Sequence, residues 1–138
     1  GGFDAVLMTQ GKEAIMANMD AITSNENATD KDDDLLTTME VVYEYYIRGF
    51  EFLPIDIYKS HATKFMIQDG KLLPPFVSIS GLGENAAWDL MNGREGKTFI
   101  SIEEVALACP KVSKTHIQML KDAGAFGSLP DTSQISLF

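Results

Sequence analysis

The chain has 138 residues with a net charge of −9 at neutral pH, and 45% of the residues are hydrophobic. This suits one ordinary domain or two small ones. No apolar run approaches the roughly 18 residues of a membrane span, and we expect no membrane partner. The single cysteine, Cys109, cannot form an internal disulfide, so we expect a buried small hydrophobe in a cytoplasmic protein. The start at Gly1 and Gly2, without an initiator Met, indicates a piece of a longer protein.

The negative charge is concentrated in the first half of the chain. Residues 1–70 hold 13 Asp/Glu against 5 Lys/Arg, whereas residues 71–138 hold 7 against 6. A negative net charge is unfavourable for binding nucleic acid. The nearly neutral second half can nevertheless approach an anion where its basic groups cluster.

Apolar residues at helical spacing predict one helix over residues 12–23 and a second over residues 33–48. The second helix is expected to stop at Arg48 and Gly49, because a cation suits the negative end of a helix and glycine tolerates left-handed geometry. The acidic run DKDDD before it is interpreted as a solvated loop that caps the helix. Three tyrosines of this helix could stack on bases but are expected to pack: Tyr43, Tyr45 and Tyr46.

Residues 50–58 are predicted to be extended, and Asp69-Gly70 between two apolar runs is a strong signal for a β-hairpin turn. Short helices are then expected over residues 84–94, 101–108 and 113–124. The predicted fold class is therefore mainly α with a small β-hairpin.

The segment SISGLGENAAWDLMNGR, residues 78–94, has the layout of a helix-hairpin-helix motif. Gly81 and Gly83 permit positive φ and let the backbone come close to a ligand, and Leu82 between them can fill the space beneath the turn. The free N–H groups and positive dipole end of the next helix can bind phosphate without contacting a base. Trp88 on this helix is expected to lie in the core. The DNA-binding residues predicted in this unit are Ser80, Gly81, Leu82, Gly83 and Asn85.

The alternative is a glycine-rich turn that binds nothing, because G-x-G is common and Glu84 places a negative charge beside the proposed phosphate. A second, degenerate unit follows in CPKVSKTHIQMLKDAG, where Ser113 can cap the next helix. Lys111 and Lys114 would supply charge where the glycines are missing. The DNA-binding residues predicted here are Lys111, Ser113 and Lys114, and the two units together would touch consecutive phosphates of duplex DNA.

No metal-binding or catalytic residue is predicted. Asp30, Asp32 and Asp34 take the first, third and fifth places of a calcium loop, but the sixth and twelfth places do not match. His61 and His116 have no partner at zinc-ligand spacing.

The chain ends with SQISLF, which puts two large apolar side chains, Leu137 and Phe138, on a free end. They either fold back onto the body or enter a pocket of another protein. The polar run SLPDTS before them predicts a tether that carries the end away, which favours a pocket on a partner.

In combination these segments resemble one family. The runs DIYKSHATKFMIQDGKLLPPFVSISGLGENAA and KVSKTHIQMLKDAGAFGSLPD, with the terminal QISLF, are similar to the C-terminal end of PolC-type DNA polymerase III alpha subunits. These are replicative polymerases of low-GC Gram-positive bacteria. The resemblance covers nearly the whole chain and is strongest from Phe50 onward.

The resemblance implies three regions: part of the polymerase fingers over residues 1–70, a tandem helix-hairpin-helix duplex-binding domain over residues 71–129, and a flexible tail over residues 130–138. The tail matches the family's sliding-clamp-binding motif at Gln134, Ile135, Ser136, Leu137 and Phe138. The family's catalytic carboxylates and Mg²⁺ lie upstream, so this fragment is expected to hold no cofactor. Implied partners are duplex primer-template DNA and the sliding clamp (beta subunit), in the bacterial cytoplasm.

Two other functions stay open on the sequence alone. A non-enzymatic DNA-binding module of a repair or recombination protein needs only the tandem hairpins, without an acidic first half or a clamp motif. A protein-interaction domain needs no DNA contact at all. Salt-dependent duplex binding separates the DNA-binding functions from the last one, and clamp binding separates the polymerase from the module.

Overall fold

A computed structural model describes residues 3–132 of the chain. These residues are mainly helical with one two-stranded antiparallel sheet, which confirms the predicted fold class. In chain order the elements are helices α1 (Ala5–Met8), α2 (Lys12–Thr23) and α3 (Asp30–Ile47), strands β1 (Met66–Gln68) and β2 (Lys71–Leu73), and helices α4 (Glu84–Gly93), α5 (Ile102–Ala108) and α6 (Lys114–Asp122). A 3-10 turn, Phe76–Ser78, precedes α4.

Helix α3 begins three residues before the predicted start, because a capping box fixes its first turn. The Thr29 hydroxyl accepts the N–H of Asp32 at 3.3 Å, and the Asp32 carboxylate accepts the N–H of Thr29 at 3.0 Å. The acidic run thus lies within the first turn of the helix, where its charge is favourable to the helix dipole. The short α1 was not predicted, since four residues show no periodicity; Asp4 caps it.

Helices α2 and α3 pack through a small core of their own, in which the fully buried side chains are Met8, Ile15, Met39 and Val42. Beside it, Tyr45 and Tyr46 form an aromatic cluster with Phe52, at ring-centroid distances of 4.7 and 5.6 Å. Tyr43 packs against the small core as well, so the prediction that the tyrosines of this helix pack is confirmed.

The hairpin is formed as predicted, with Gln68 paired to Lys71 across the turn. Both turn residues take positive φ, 53° at Asp69 and 76° at Gly70, as a tight two-residue hairpin turn requires. The stretch predicted to be extended forms one isolated bridge to β2, between Phe52 and Leu72, and Glu51 forms an ion pair with Lys71 at 3.0 Å.

The larger core joins the C-terminal helices to the loop that precedes the hairpin. It includes Ile55 and Ile57 together with Leu90, Val105 and Leu120, so residues on both sides of position 70 share it. Burying this apolar surface is the main favourable term for the fold.

Two close contacts fix the position of α4 in this core. A Cβ atom on Gly93 would lie 2.6 Å from Sγ of Cys109 and 2.9 Å from the carbonyl oxygen of Ala108, so only glycine allows α4 and α5 to approach this closely. Cys109 is fully buried, as predicted. Arg94, which ends α4, donates to the carbonyl oxygens of Ile57 (3.1 Å) and Ser60. Burial lowers the pKa of its guanidinium.

Candidate nucleic-acid interface

Two turn-and-helix units of similar layout lie in the second half of the chain. The first unit consists of the turn at residues 79–82 and α4, and the second consists of the turn at residues 109–112 and α6. In each turn the N–H of the fourth residue donates to the carbonyl of the first, at 3.0 and 3.1 Å. That fourth residue is Leu82 or Val112, which are only 4% and 7% exposed. The plug predicted for Leu82 is confirmed, and its side chain faces the core.

The two glycines of the first unit serve different purposes. Gly81 has φ of +77°. Gly83 does not use the positive φ that glycine permits: its φ is −77° and its ψ 169°, because it is the N-cap of α4. A Cβ atom at Gly83 would meet no atom within 4 Å, so the missing side chain leaves open space at the start of the helix.

The start of α4 has no side-chain cap, whereas the start of α6 has one. Gly83 offers no acceptor to the first turn of α4. In the second unit the Ser113 hydroxyl accepts the N–H of His116 at 3.2 Å, which confirms the predicted cap. The first-turn N–H groups of α4 are therefore left for solvent or a ligand, in a segment where Glu84 and Asn85 are exposed.

An internal carboxylate occupies part of the second turn. Asp89, on α4, accepts the backbone N–H of Lys111 at 2.9 Å. This contact spans 22 positions and was not predicted. Because this amide is already bonded within the protein, the second unit has fewer main-chain donors to offer an external anion than the first.

The first turn lies against the helix of the second unit. A Cβ atom on Gly81 would lie 3.3 Å from Nε2 of His116, so the first turn touches α6. The sequence predictions missed His116, which carries no motif signal. Of the predicted DNA-binding residues, those exposed to solvent are Ser80, Gly81, Gly83, Asn85, Lys111, Ser113 and Lys114.

Trp88 is not in the core, contrary to the prediction. It is 40% exposed, and its ring meets the edge of His61 at a centroid distance of 5.2 Å. The buried face of α4 is formed by Ala87 and Leu90, and Trp88 follows Ala87 on an outer position.

Other predictions concern what this part of the chain lacks. Within residues 3–132 no group of three or more His, Cys, Asp or Glu side chains is arranged to hold a metal ion. No helix in that range has both the length and the hydropathy to cross a membrane. The predicted clamp-binding residues, Gln134 to Phe138, lie outside the described residues.

Comparisons with known proteins agree with the construction of these units. The family described as "Helix-hairpin-helix motif" matches residues 49–135, which is more than half of the chain. Among curated proteins, the chain is 42% identical over 137 residues to "DNA polymerase III PolC-type" of Clostridium perfringens. It is 41% identical to the proteins of the same name from Thermotoga petrophila, over 139 residues, and Bacillus cereus, over 137 residues.

These alignments cover 99% of the chain but only 9–10% of each relative, so the chain spans about a tenth of the length of the curated relatives it matches. The match to the family extends over both units and the hairpin before them. The chain therefore belongs to the helix-hairpin-helix family, and over 99% of its length it is homologous to DNA polymerases III of the PolC type.

Proposed function

We propose that this chain is the part of a PolC-type replicative DNA polymerase that holds duplex primer-template DNA. The observation that carries the proposal is the uncapped start of α4 at Gly83, exposed beside a second unit of similar layout. The homology to PolC-type polymerases along nearly the whole chain supports it. As predicted from the sequence, we assign residues 1–70 to the fingers, residues 71–129 to duplex binding and residues 130–138 to a tail.

The two units would bind the phosphate backbone in different ways. At the first unit, the free N–H groups and the positive dipole end of α4 face the ligand, so main-chain donors bind the phosphate. At the second unit, where Asp89 already holds the Lys111 amide, the exposed side chains of Lys111 and Lys114 provide the positive charge. Neither mode reads a base edge, so the binding is independent of sequence, as a replicative polymerase requires.

The reaction of the whole protein would be template-directed nucleotidyl transfer assisted by two Mg²⁺ ions. We expect the carboxylates that hold these ions to lie in parts of the polymerase outside this chain. The whole polymerase would act in the bacterial cytoplasm. The chain by itself should not extend a primer. Primer extension by the purified chain would contradict this assignment.

The experiment on DNA binding is a salt titration with a non-specific duplex. Neutralising roughly two to four phosphates gives a log–log slope of roughly −2 to −4 for the affinity against salt concentration. Two duplexes of unrelated sequence should bind equally. Affinity that does not change with salt, or no affinity at all, would overturn the proposed duplex-binding function.

We further propose that Gln134 to Phe138 bind the sliding clamp. Leu137 and Phe138 would fill a pocket on the clamp, and the Gln134 side chain would fix the orientation of the tail. A few residues give only modest affinity, on the order of micromolar, because the tail loses freedom when it binds. Bound DNA would add to this as a second linked site.

The double variant Leu137→Ala/Phe138→Ala tests this tail. It should lose clamp binding while it keeps duplex affinity and melting temperature. Ile135→Ala, in the same tail, is the matched control and should matter less. Undiminished clamp binding would show that the motif match is accidental, and a large fall in melting temperature would show that the tail belongs to the core.

A further inference from the structure

The imidazole of His116 lies where the two units meet. Its Nε2 would be 3.3 Å from a Cβ atom built on Gly81, so this nitrogen faces the turn of the first unit. Its Nδ1 is 3.0 Å from the hydroxyl of Ser113, which caps α6 in the second unit. One ring thus connects the two turns, and both Gly81 and Ser113 are exposed.

The hydrogen bonds around Ser113 fit a His116 ring that carries its proton on Nε2. The Ser113 hydroxyl oxygen accepts the backbone N–H of His116, and its own proton is then free to be donated to Nδ1. A neutral imidazole whose Nδ1 accepts a hydrogen bond carries its proton on Nε2. Within residues 3–132 no group is hydrogen-bonded to Nε2, so in this tautomer the Nε2–H is a donor that meets no acceptor in the described part of the chain.

We propose that His116 is a further DNA-contacting residue, whose Nε2–H donates to a phosphate oxygen of the duplex held between the two units. This inference rests on the proposed duplex-binding function. The donor lies against the turn before Gly83, and Lys114 stands two residues before it at the start of α6. A phosphate that reaches both units therefore passes this nitrogen. The contact is a hydrogen bond from the ring N–H, with no proton transferred.

The structure also offers an internal reference for a direct test. The chain has 2 histidines. The other one, His61, accepts the N–H groups of Thr63 and Lys64 with its Nδ1, at 3.0 and 3.2 Å, and its ring edge contacts Trp88. Its Nδ1 is thus engaged within the protein, and it lies on no predicted DNA-binding turn.

The first measurement is an NMR spectrum of the ring nitrogens of the full chain, with and without a non-specific duplex. Added duplex should shift the Nε2 signal of His116 and leave His61 nearly unchanged. An unchanged His116 signal in a sample where the duplex is bound would overturn the inference.

The second measurement compares His116→Phe with His116→Gln. Phenylalanine fills the same space without a donor, whereas the glutamine amide can place an N–H near the position of Nε2. His116→Phe should bind duplex on the order of 10-fold more weakly, the loss expected for one hydrogen bond to a charged group. His116→Gln should recover most of the affinity.

A packing role for His116 predicts a different result. It would make the phenylalanine variant the better tolerated one, with duplex affinity following melting temperature in both variants. Equal duplex affinity of wild type and His116→Phe would also contradict the contact. If the wild type binds duplex and Gly83→Val weakens it while His116→Phe does not, only this inference fails. If the wild type does not bind duplex, the proposed function itself fails.

Discussion

The Asp89 carboxylate accepts the backbone N–H of Lys111 at 2.9 Å, so the helix of the first unit holds the turn of the second. This bond ties the two units into one surface and gives them different chemistry. The first unit keeps the free N–H groups of the first turn of α4, which follow Gly83. In the second unit the carboxylate of Asp89 is bonded to the turn.

We expect Asp89→Asn to strengthen duplex binding. The asparagine oxygen can still accept the Lys111 N–H, so the turn is kept, but a negative charge beside the DNA face is removed. A surface charge interaction of about 0.5–1 kcal/mol corresponds to roughly a threefold gain in affinity at low salt. The measurement is a duplex titration of both proteins in the same buffer.

Asp122→Asn is the matched control for that change, because it removes the same charge at the far end of α6. It should leave duplex affinity nearly unchanged. An equal gain in both variants would mean that net charge alone acts, and that Asp89 has no special position at the interface.

Gly93→Ala is expected to destabilise the chain. The added methyl group would lie 2.6 Å from Sγ of Cys109 and 2.9 Å from the carbonyl oxygen of Ala108, so α4 and α5 must separate. Overpacking of this kind costs about 1–3 kcal/mol in the free energy of unfolding. Denaturant unfolding measures it, with Asn92→Ala on the exposed face of α4 as the control; equal stability of Gly93→Ala and wild type would show that the helices do not approach so closely.

Cys109 predicts a pH dependence of stability. Burial, with a contribution from Asp89, raises the pKa of its thiol to about 11. In the unfolded chain the pKa of a cysteine thiol is near 8.5. Below that pH the thiol is neutral in both the folded and the unfolded state, so it does not affect stability there. As the pH rises from about 8.5 toward about 11, only the unfolded thiol ionises, and the free energy of unfolding falls by at most about 1.4 kcal/mol per pH unit.

Cys109→Ala separates this effect from the titration of lysines and tyrosines, which occurs in both proteins. Unfolding curves at pH 8 and pH 10 should show a larger fall for wild type than for the variant. The native thiol should also react slowly with iodoacetamide at pH 8. Rapid alkylation of the folded chain, or the same pH dependence in both proteins, would show that the thiol is accessible.

The sequence predicted those parts of the fold that depend on neighbours in the chain. Helix α2 has the predicted bounds, the Asp69-Gly70 turn forms, and Ser113 caps α6, because periodicity, turn chemistry and capping are local signals. The predicted start of α3 is three residues too late, because the acidic run was interpreted as a loop. In the structure Thr29 caps the helix just before this run.

The sequence could not predict features that depend on distant partners. Asp89 meets a turn 22 positions away, and Arg94 reaches carbonyl groups 34 and 37 positions away. Trp88 lies outside the core because Ala87 and Leu90 form the inward face of α4. The apolar periodicity of a ten-residue helix does not decide which of its side chains face inward. The position of His116 against Gly81 likewise depends on how the two units pack.

The central claim is that the open start of α4 binds the backbone of duplex DNA, and Gly83→Val tests it most directly. At φ of −77° with no atom within 4 Å, the valine side chain fits the protein and projects into the space a phosphate would use. The measurement is duplex affinity beside melting temperature, with Asn27→Val in the exposed loop before α3 as a control that adds a valine elsewhere. We predict that Gly83→Val lowers duplex affinity about 10-fold or more, because charge-assisted main-chain bonds to the phosphate are lost. Its melting temperature should stay within about 5 °C of wild type. Asn27→Val should change neither the duplex affinity nor the melting temperature. Wild-type duplex affinity in a folded Gly83→Val chain would contradict the claim and place the DNA site elsewhere.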